Sequence, residues 1–526
     1  MNTKYIWMIL LLIGVVACND PEDYEKFLDN QPEEAEVPAL TSGSADFSTY
    51  VAVGASFTAG FTDNALFANA QTNSFPNTIA TQFAKIGGGA FNQPMMNGNF
   101  GGLTYGPNRV ADPRLVFGGA GPLPLESVIG PVSIATDLSA NPTGPFNNFG
   151  VPGAKSYHLT AAGYGNIDNF PAAANPYAIR LTGSTPNASI LDLAMDRNPT
   201  FFTLSEVGGN DVLGYAVSGG DGSNPITPTA LFDMALNDLV NGLTANGAKG
   251  AIGNVPYITS LSHFTTVPYN PLDPTNPDFG PLIPTLNATF GPLNDAFDYL
   301  GVPERKITYA LDAASPILIH DESLEDISAR LELVLIGGGL DPISASIYAN
   351  QFGQSRQATA ADLIVLPASS VIASVNEAYY TQLVTMGVPP ATAGQLSVNG
   401  ITYPMRDKWV LLPTEQAEIA AATDAYNASI LSVANAKGLA FVDLKSILEE
   451  AATSGIAFDQ FSNMNTSLVF GGLVSLDGIH LTARGYALMA NSFLQAIDAT
   501  YGSNFVEAGA LAKAEDFPTN YSPLLQ

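Results

Sequence analysis

Three side chains in this sequence have the chemistry of nucleophilic hydrolysis if a fold brings them together: Ser56, Asp477 and His480. A serine hydroxyl is a weak nucleophile until a base takes its proton. An imidazole is that base near neutral pH, and a carboxylate on its other ring nitrogen fixes the tautomer that accepts. Ser56 stands in Val51-Ala-Val-Gly-Ala-Ser-Phe-Thr-Ala-Gly60, and the other two in Ser475-Leu-Asp-Gly-Ile-His-Leu481. Asp477 precedes His480 by three residues, within reach of the ring. Taken singly, Gly-x-Ser is common and Asp-x-x-His is an ordinary surface pair. More than four hundred residues separate the two segments, so only a fold can unite them.

The elements that must position these residues alternate in the manner of an α/β fold. Residues 50–54 read as a buried strand that stops in a turn of small residues, which lifts Ser56 to the carboxyl edge of a parallel sheet. Phe201-Phe-Thr-Leu-Ser205 is a second strand and runs into Gly208-Gly-Asn-Asp211. Residues 231–243 have helical spacing, and 250–256 read as the next strand. Thr414 is predicted to cap a long helix with Glu415 and Glu418 in its first turn, where the dipole favours acids. Ile419, Ala422, Tyr426, Ile430 and Val433 form its apolar stripe, and Gly438 is its stop. Residues 439–443 follow as a strand. A last helix starts near Thr482 and buries Tyr486, Met489, Phe493 and Ile497.

Two stretches break this rhythm. Residues 87–142, crowded with Gly, Asn, Pro and Phe, are expected to be a long, mostly irregular excursion. Residues 264–408 open with a proline-rich run and carry candidate elements at 332–336 and 363–366; they read as an insertion that forms a subdomain or covers the core. No internal repeat recurs at a fixed period, which argues against a solenoid.

The chain shows, in order, Gly-x-Ser after a strand, Asn148-Phe-Gly-Val-Pro-Gly153, Gly208-Gly-Asn-Asp211, and Asp477-x-x-His480 before a helix. This succession resembles the SGNH, or GDSL-like, hydrolase superfamily over residues 47–84, 146–263 and 414–500. The resemblance implies a flavodoxin-like three-layer α/β/α sandwich with a mainly parallel sheet, here with two large insertions within a domain spanning 47–510. It implies Ser56 as nucleophile, His480 as base and Asp477 as its orienting carboxylate. The oxyanion donors it implies are the N–H of Ser56, the N–H of Gly153 and the side-chain amide of Asn210. Gly150 is the other candidate for the glycine, and the spacing from Asn148 favours Gly153. Asp211 reads as a loop-stabilising residue. The family's acidic neighbour of the serine is missing, because the motif stands here as Gly54-Ala55-Ser56-Phe57. The activity implied is cleavage of carboxylic esters through an acyl-enzyme intermediate, with no metal and no cofactor. The substrate, whether a small-molecule, lipid or carbohydrate ester, does not follow, because both excursions fall between motif blocks and reshape the cleft.

The chain begins Met1-Asn-Thr-Lys-Tyr5 and is apolar from Ile6 to Val16, the pattern of a secretory signal too short to span a bilayer. It ends at Val15-Val16-Ala17-Cys18, which resembles the lipobox of bacterial lipoproteins. That resemblance implies removal of residues 1–17 and acylation of Cys18, hence membrane attachment through a lipid in the cell envelope, at the outer membrane on its periplasmic or surface side. Cys18 is the only cysteine, so no disulfide forms within the chain. Residues 18–46 read as an acidic tether and 511–526 as a C-terminal tail. With 48 acidic and 19 basic residues, the formal charge of −29 repels nucleic acid and anionic surfaces.

The remaining histidines take plainer readings. His158 lines the cleft or, more simply, packs or caps. His263 and His320 have no ligand-like spacing, and His320-Asp321-Glu322 lacks a nearby Cys or second His. Asp221-Gly-Ser-Asn224 reads as a solvated turn. The aromatic residues within 87–119 form a substrate platform or pack as loops do. The competing functional class is a non-catalytic ligand- or glycan-binding envelope lipoprotein on the same scaffold, which would keep the frame without the chemistry.

Overall fold

The computed structural model describes residues 37–460 and 462–526, so the signal segment, Cys18 and most of the tether lie outside the described residues. The fold is α/β. Five strands, β1 (Tyr50–Gly54), β2 (Asn148–Gly150), β3 (Phe201–Ser205), β4 (Lys249–Gly253) and β5 (Ala440–Val442), form one sheet in the order β5-β4-β3-β1-β2. Every pairing in it is parallel, with Gly54 opposite Gly150 on one side and Ser205 on the other. A central strand of such a sheet is covered on both faces and therefore apolar throughout. Accordingly β1 and β3 are buried at every residue. The order places a topological switch point between β1 and β3, beyond whose carboxyl ends a crevice opens.

Eight helices frame the sheet and its upper edge. They are α1 (Ser56–Ala59), α2 (Phe75–Phe83), α3 (Ile190–Met195), α4 (Gly209–Val217), α5 (Thr229–Thr244), α6 (Pro413–Lys437), α7 (Leu444–Thr453) and α8 (Ala483–Tyr501). α2 packs on α8, where Phe75 stacks on Phe493, and α5 packs on α6, where Phe232 stacks on Tyr426. α6 begins two residues earlier than predicted. Pro413 is its first residue and Leu412 its cap position, so Thr414 lies inside the first turn and caps nothing. The carboxylate of Glu415 takes the N–H of Leu412 instead. Gly438 ends α6 in the left-handed region at φ 65°, and Thr482 caps α8 by accepting the N–H of Gly485, both as the sequence indicates.

Residues 87–142 are more regular than their composition suggests. Two hairpins, Gly101–Tyr105 with Asn108–Pro113 and Leu115–Phe117 with Pro122–Pro124, are built there. Residues 264–408 hold helices such as Ile283–Leu300, Ser328–Gly337 and Pro342–Phe352, and their apolar residues run continuously into the main core through Phe290, Tyr309, Ile317 and Met405. The chain is docked already at Thr41 and Ser44, which bond Asn504 and the carbonyl of Tyr501, so the end of the proposed tether belongs to the fold. The C-terminal stretch is docked too: Tyr521 lies edge-on to Phe67, and the fully buried Arg114 donates to the carbonyl of Ser522.

Candidate active site

Ser56 is the first residue of α1 and is 5% exposed. The turn that presents it is tight. A Cβ on Gly54 would lie 2.2 Å from Thr58 Oγ1 and 2.5 Å from the carbonyl of Ser205, and one on Gly150 would lie 2.2 Å from the N atom of Ala59. Both glycines are therefore set by close backbone approach. The N–H of Gly150 is taken by Asn148 Oδ1 at 2.9 Å, whereas no hydrogen bond among the described residues occupies the N–H of Gly153, which is exposed with φ 80°. The N–H of Ser56 is likewise unpaired, although those of Ala55, Phe57 and Thr58 are all bonded. Asn210, in the first turn of α4, donates one amide proton to the carbonyl of Ala154 at 2.9 Å, which ties the α4 turn to the loop carrying Gly153 and leaves its second proton available. Asp211 accepts from the N–H and hydroxyl of Ser156, the loop-bracing role expected of it.

The acceptor for the α1 turn is Glu206, a residue the sequence reading missed. Its Oε2 accepts from the N–H groups of Ala55 (3.2 Å) and Thr58 (2.8 Å), and its Oε1 from the N–H of Phe57 (2.6 Å) and the hydroxyl of Ser56 (3.4 Å). Glu206 directly follows β3 and holds φ at +62°, a conformation uncommon outside glycine. Burial of the carboxyl group pushes its pKa up to about 7, against the lowering effect of the Phe57 and Thr58 N–H bonds and of His480. No local pattern in the sequence points to Glu206, because its partners lie in a turn about 150 residues earlier.

His480 Nδ1 lies 2.9 Å from Asp477 Oδ2, and the two side chains are largely but not fully covered, 13% and 7% exposed. Burial alone would raise the Asp477 pKa, but His480 and the N–H groups of Ile479 and His480 outweigh it and hold the carboxyl below the ordinary carboxylate range. An ionised Asp477 makes Nδ1 the protonated nitrogen and leaves Nε2 as the proton acceptor. The imidazole is flanked by the rings of Phe57 and Phe61, whose centroids lie 5.8 and 4.7 Å from its own. Ser56 Oγ makes its hydrogen bond to Glu206 and none to His480.

Two residues carry the link between segments so distant in sequence. The N–H of Asn64 donates to Asp477 Oδ2 at 2.8 Å, and Asp63 accepts from the N–H of Leu476 at 3.1 Å while its own N–H donates to Ser475 Oγ. Both have positive φ, 52° and 61°. Burial raises the Asp63 pKa to about 7, with the bond from Leu476 opposing. The serine's own loop thus holds the Asp477 turn in register.

The other candidates separate clearly. His158 packs: its Nδ1 accepts from the N–H of Lys155 and its ring stacks on Tyr164 at 4.5 Å. His263 is buried behind the Asp477–Gly478 backbone, with its N–H on the carbonyl of Gly478, nearer the site than its place in the sequence suggests. His320 and Glu322 are joined by Asp407, with one ligand-type atom of each within 4.8 Å of the others, a grouping that the local sequence hides. Asp321 turns inward instead, paired with Arg356 at 2.5 Å. Asp221 closes a turn on Ser223, and Phe91 stacks on Tyr50. No family model matches this chain, and neither a curated protein nor a solved structure matches it.

Proposed function

We propose that the protein is a serine hydrolase of carboxylic esters, with Ser56 as nucleophile, His480 as general base and Asp477 as the carboxylate that sets the imidazole. The observation that carries this reading is the pattern of unpaired donors around Ser56. The N–H of Ser56 is free although those of Ala55, Phe57 and Thr58 are bonded, and the N–H of Gly153 and one amide proton of Asn210, on two further loops tied together at Ala154, are free as well. Free donors near a nucleophile are what an oxyanion requires. In the reaction, Ser56 Oγ attacks the ester carbonyl as its proton passes to His480 Nε2. The C–O bond to the alcohol then breaks as that proton moves to the leaving oxygen. Water, activated by the same nitrogen, releases the acid from Ser56.

The strand order and the motif succession support assignment to the SGNH hydrolase fold, a three-layer sandwich enlarged by two insertions. Gly153 is the better oxyanion glycine, since the N–H of Gly150 is already spent. The Cys18 motif supports a lipid-anchored form in the bacterial cell envelope. A second reading, a non-catalytic binding lipoprotein on this scaffold, draws on one observation, that Ser56 and His480 share no hydrogen bond. Apo sites often close that contact only around substrate.

The test is labelling with a serine-reactive fluorophosphonate followed by peptide mapping. Modification at Ser56, lost in Ser56→Ala together with turnover of an activated ester by about 10⁶-fold, is the expected result. A protein that neither labels nor hydrolyses any ester favours the binding reading.

A further inference from the structure

A narrow cavity opens beside Ser56 and runs between α4, α7 and α8, with about 100 Å³ open to the centre of a water-sized sphere. It is lined by Ser56, Glu206 and Asn210 and by apolar side chains that include Leu213, Ile447, Leu448, Leu488 and Met489. Protein interiors pack as densely as organic crystals, so an open channel ending on a nucleophile is not a packing default. Among the described lining residues, Glu206 is the sole ionisable group, and its oxygens are committed to α1. The other polar wall residue, Asn254, spends one amide proton on Asp443 at 2.7 Å and its oxygen on the N–H of Lys445 at 2.9 Å, which leaves one amide proton. A charged or polyhydroxylated substituent would meet too few partners there to offset its desolvation.

Which half of an ester enters follows from His480. Ile479 and Leu481 line the cavity, but His480 between them does not; its ring lies against Phe57, itself a lining residue, and against Phe61, which is not one. The leaving alcohol has to reach His480 for its proton and so stays on that side. Asn210 both lines the cavity and offers its amide to the oxyanion, which turns the carbon chain of the carbonyl group inward.

We infer that this cavity is an acyl-chain subsite, and that the substrates are esters of unbranched aliphatic acids well longer than acetate. The inference rests on the serine-hydrolase reading and adds the acyl class to it. Each methylene moved from water into such a wall raises kcat/KM by about fourfold while room remains.

The experiment compares p-nitrophenyl esters from acetate to palmitate with the full chain, with Ser56→Ala subtracted as background. A Ser56-dependent kcat/KM that climbs at least about tenfold from acetate to octanoate is expected. Ile447 is half-buried on the wall, where a larger side chain fills the channel without entering the close-packed core. In Ile447→Trp the octanoate-to-acetate ratio should fall about tenfold. In Ile447→Ala, a variant that opens the channel, the preferred chain length should increase. Ser56-dependent hydrolysis that is flat or declines with chain length overturns the acyl subsite and leaves the hydrolase reading standing. An unchanged chain-length profile in both Ile447 variants, with unchanged melting temperatures, does the same. The absence of Ser56-dependent hydrolysis of any ester overturns both.

Discussion

Glu206 and Asp477 are two carboxyl groups of one site whose surroundings drive them in opposite directions. Both are turned inward and both accept several backbone N–H groups. Asp477 also has the imidazole of His480 at 2.9 Å, and that is enough to hold it ionised despite burial. Glu206 has hydroxyl and N–H donors only within bonding distance, with His480 acting from further away, and burial prevails to bring it to about 7. At Glu206 burial outweighs the backbone N–H bonds, whereas at Asp477 the directly bonded imidazole tips the balance toward the carboxylate. The difference also divides their work: Asp477 holds the imidazole of His480, and Glu206 shapes the turn that carries Ser56.

The most severe way to break this contrast is Asp477→Asn, which keeps the shape but allows the imidazole its wrong tautomer. We expect kcat to fall about 10⁴-fold with the melting temperature little changed, measured on a short activated ester. A loss below tenfold would remove Asp477 from the orienting role. Asn210→Ala tests the proposed oxyanion donors. It should cost about 10²–10³-fold in kcat with a smaller change in KM, since an oxyanion donor acts mainly in the transition state. Glu206→Gln sharpens the comparison from the other side. The amide keeps one acceptor oxygen and loses the other, so the turn loosens and kcat drops by about 10–100-fold, well short of the Asp477 effect. Activity equal to Asp477→Asn would instead place Glu206 in the proton relay.

The smallest effect is on stability against pH. Glu206, Asp63 and Glu415, pushed up to about 7, 7 and 8, are raised relative to the unfolded chain. Raised acids bind more protons in the folded than in the unfolded state. Their contribution is therefore present below the unfolded pKa and is lost as pH rises through the folded values. Asp477, depressed, acts in reverse and loses its contribution only in acid. Melting temperature should then decline from about pH 5 to pH 8. The slope should be shallower in Glu206→Gln; an identical slope would show that Glu206 does not titrate in this range.

Much of the frame was legible from residues near one another in sequence. β3 was readable because four consecutive apolar or β-branched residues, Phe201 to Leu204, suit a strand covered on both faces. The Asp477–His480 pair was readable because a three-residue turn closes it locally. The start of α6 was misplaced because Thr414 looks like a cap, while the cap is a carboxylate reaching back from Glu415. The hairpins within 87–142 were hidden by a Gly- and Pro-rich composition that hydrogen bonding between short strands overrode.

By itself, then, the sequence determined the α/β alternation, the strand-to-helix turn at Ser56 and the Asp477–His480 pair, since each depends on period, turn geometry or a spacing of a few residues. The tertiary structure alone decided that Glu206 braces the turn of Ser56, that Asp63 and Asn64 hold the turn of Asp477, and that α4, α7 and α8 leave an apolar channel at the serine. Those relations join groups 150 to 413 residues apart. No local pattern encodes such contacts, because they follow from how strands and helices stack, not from what any one segment prefers.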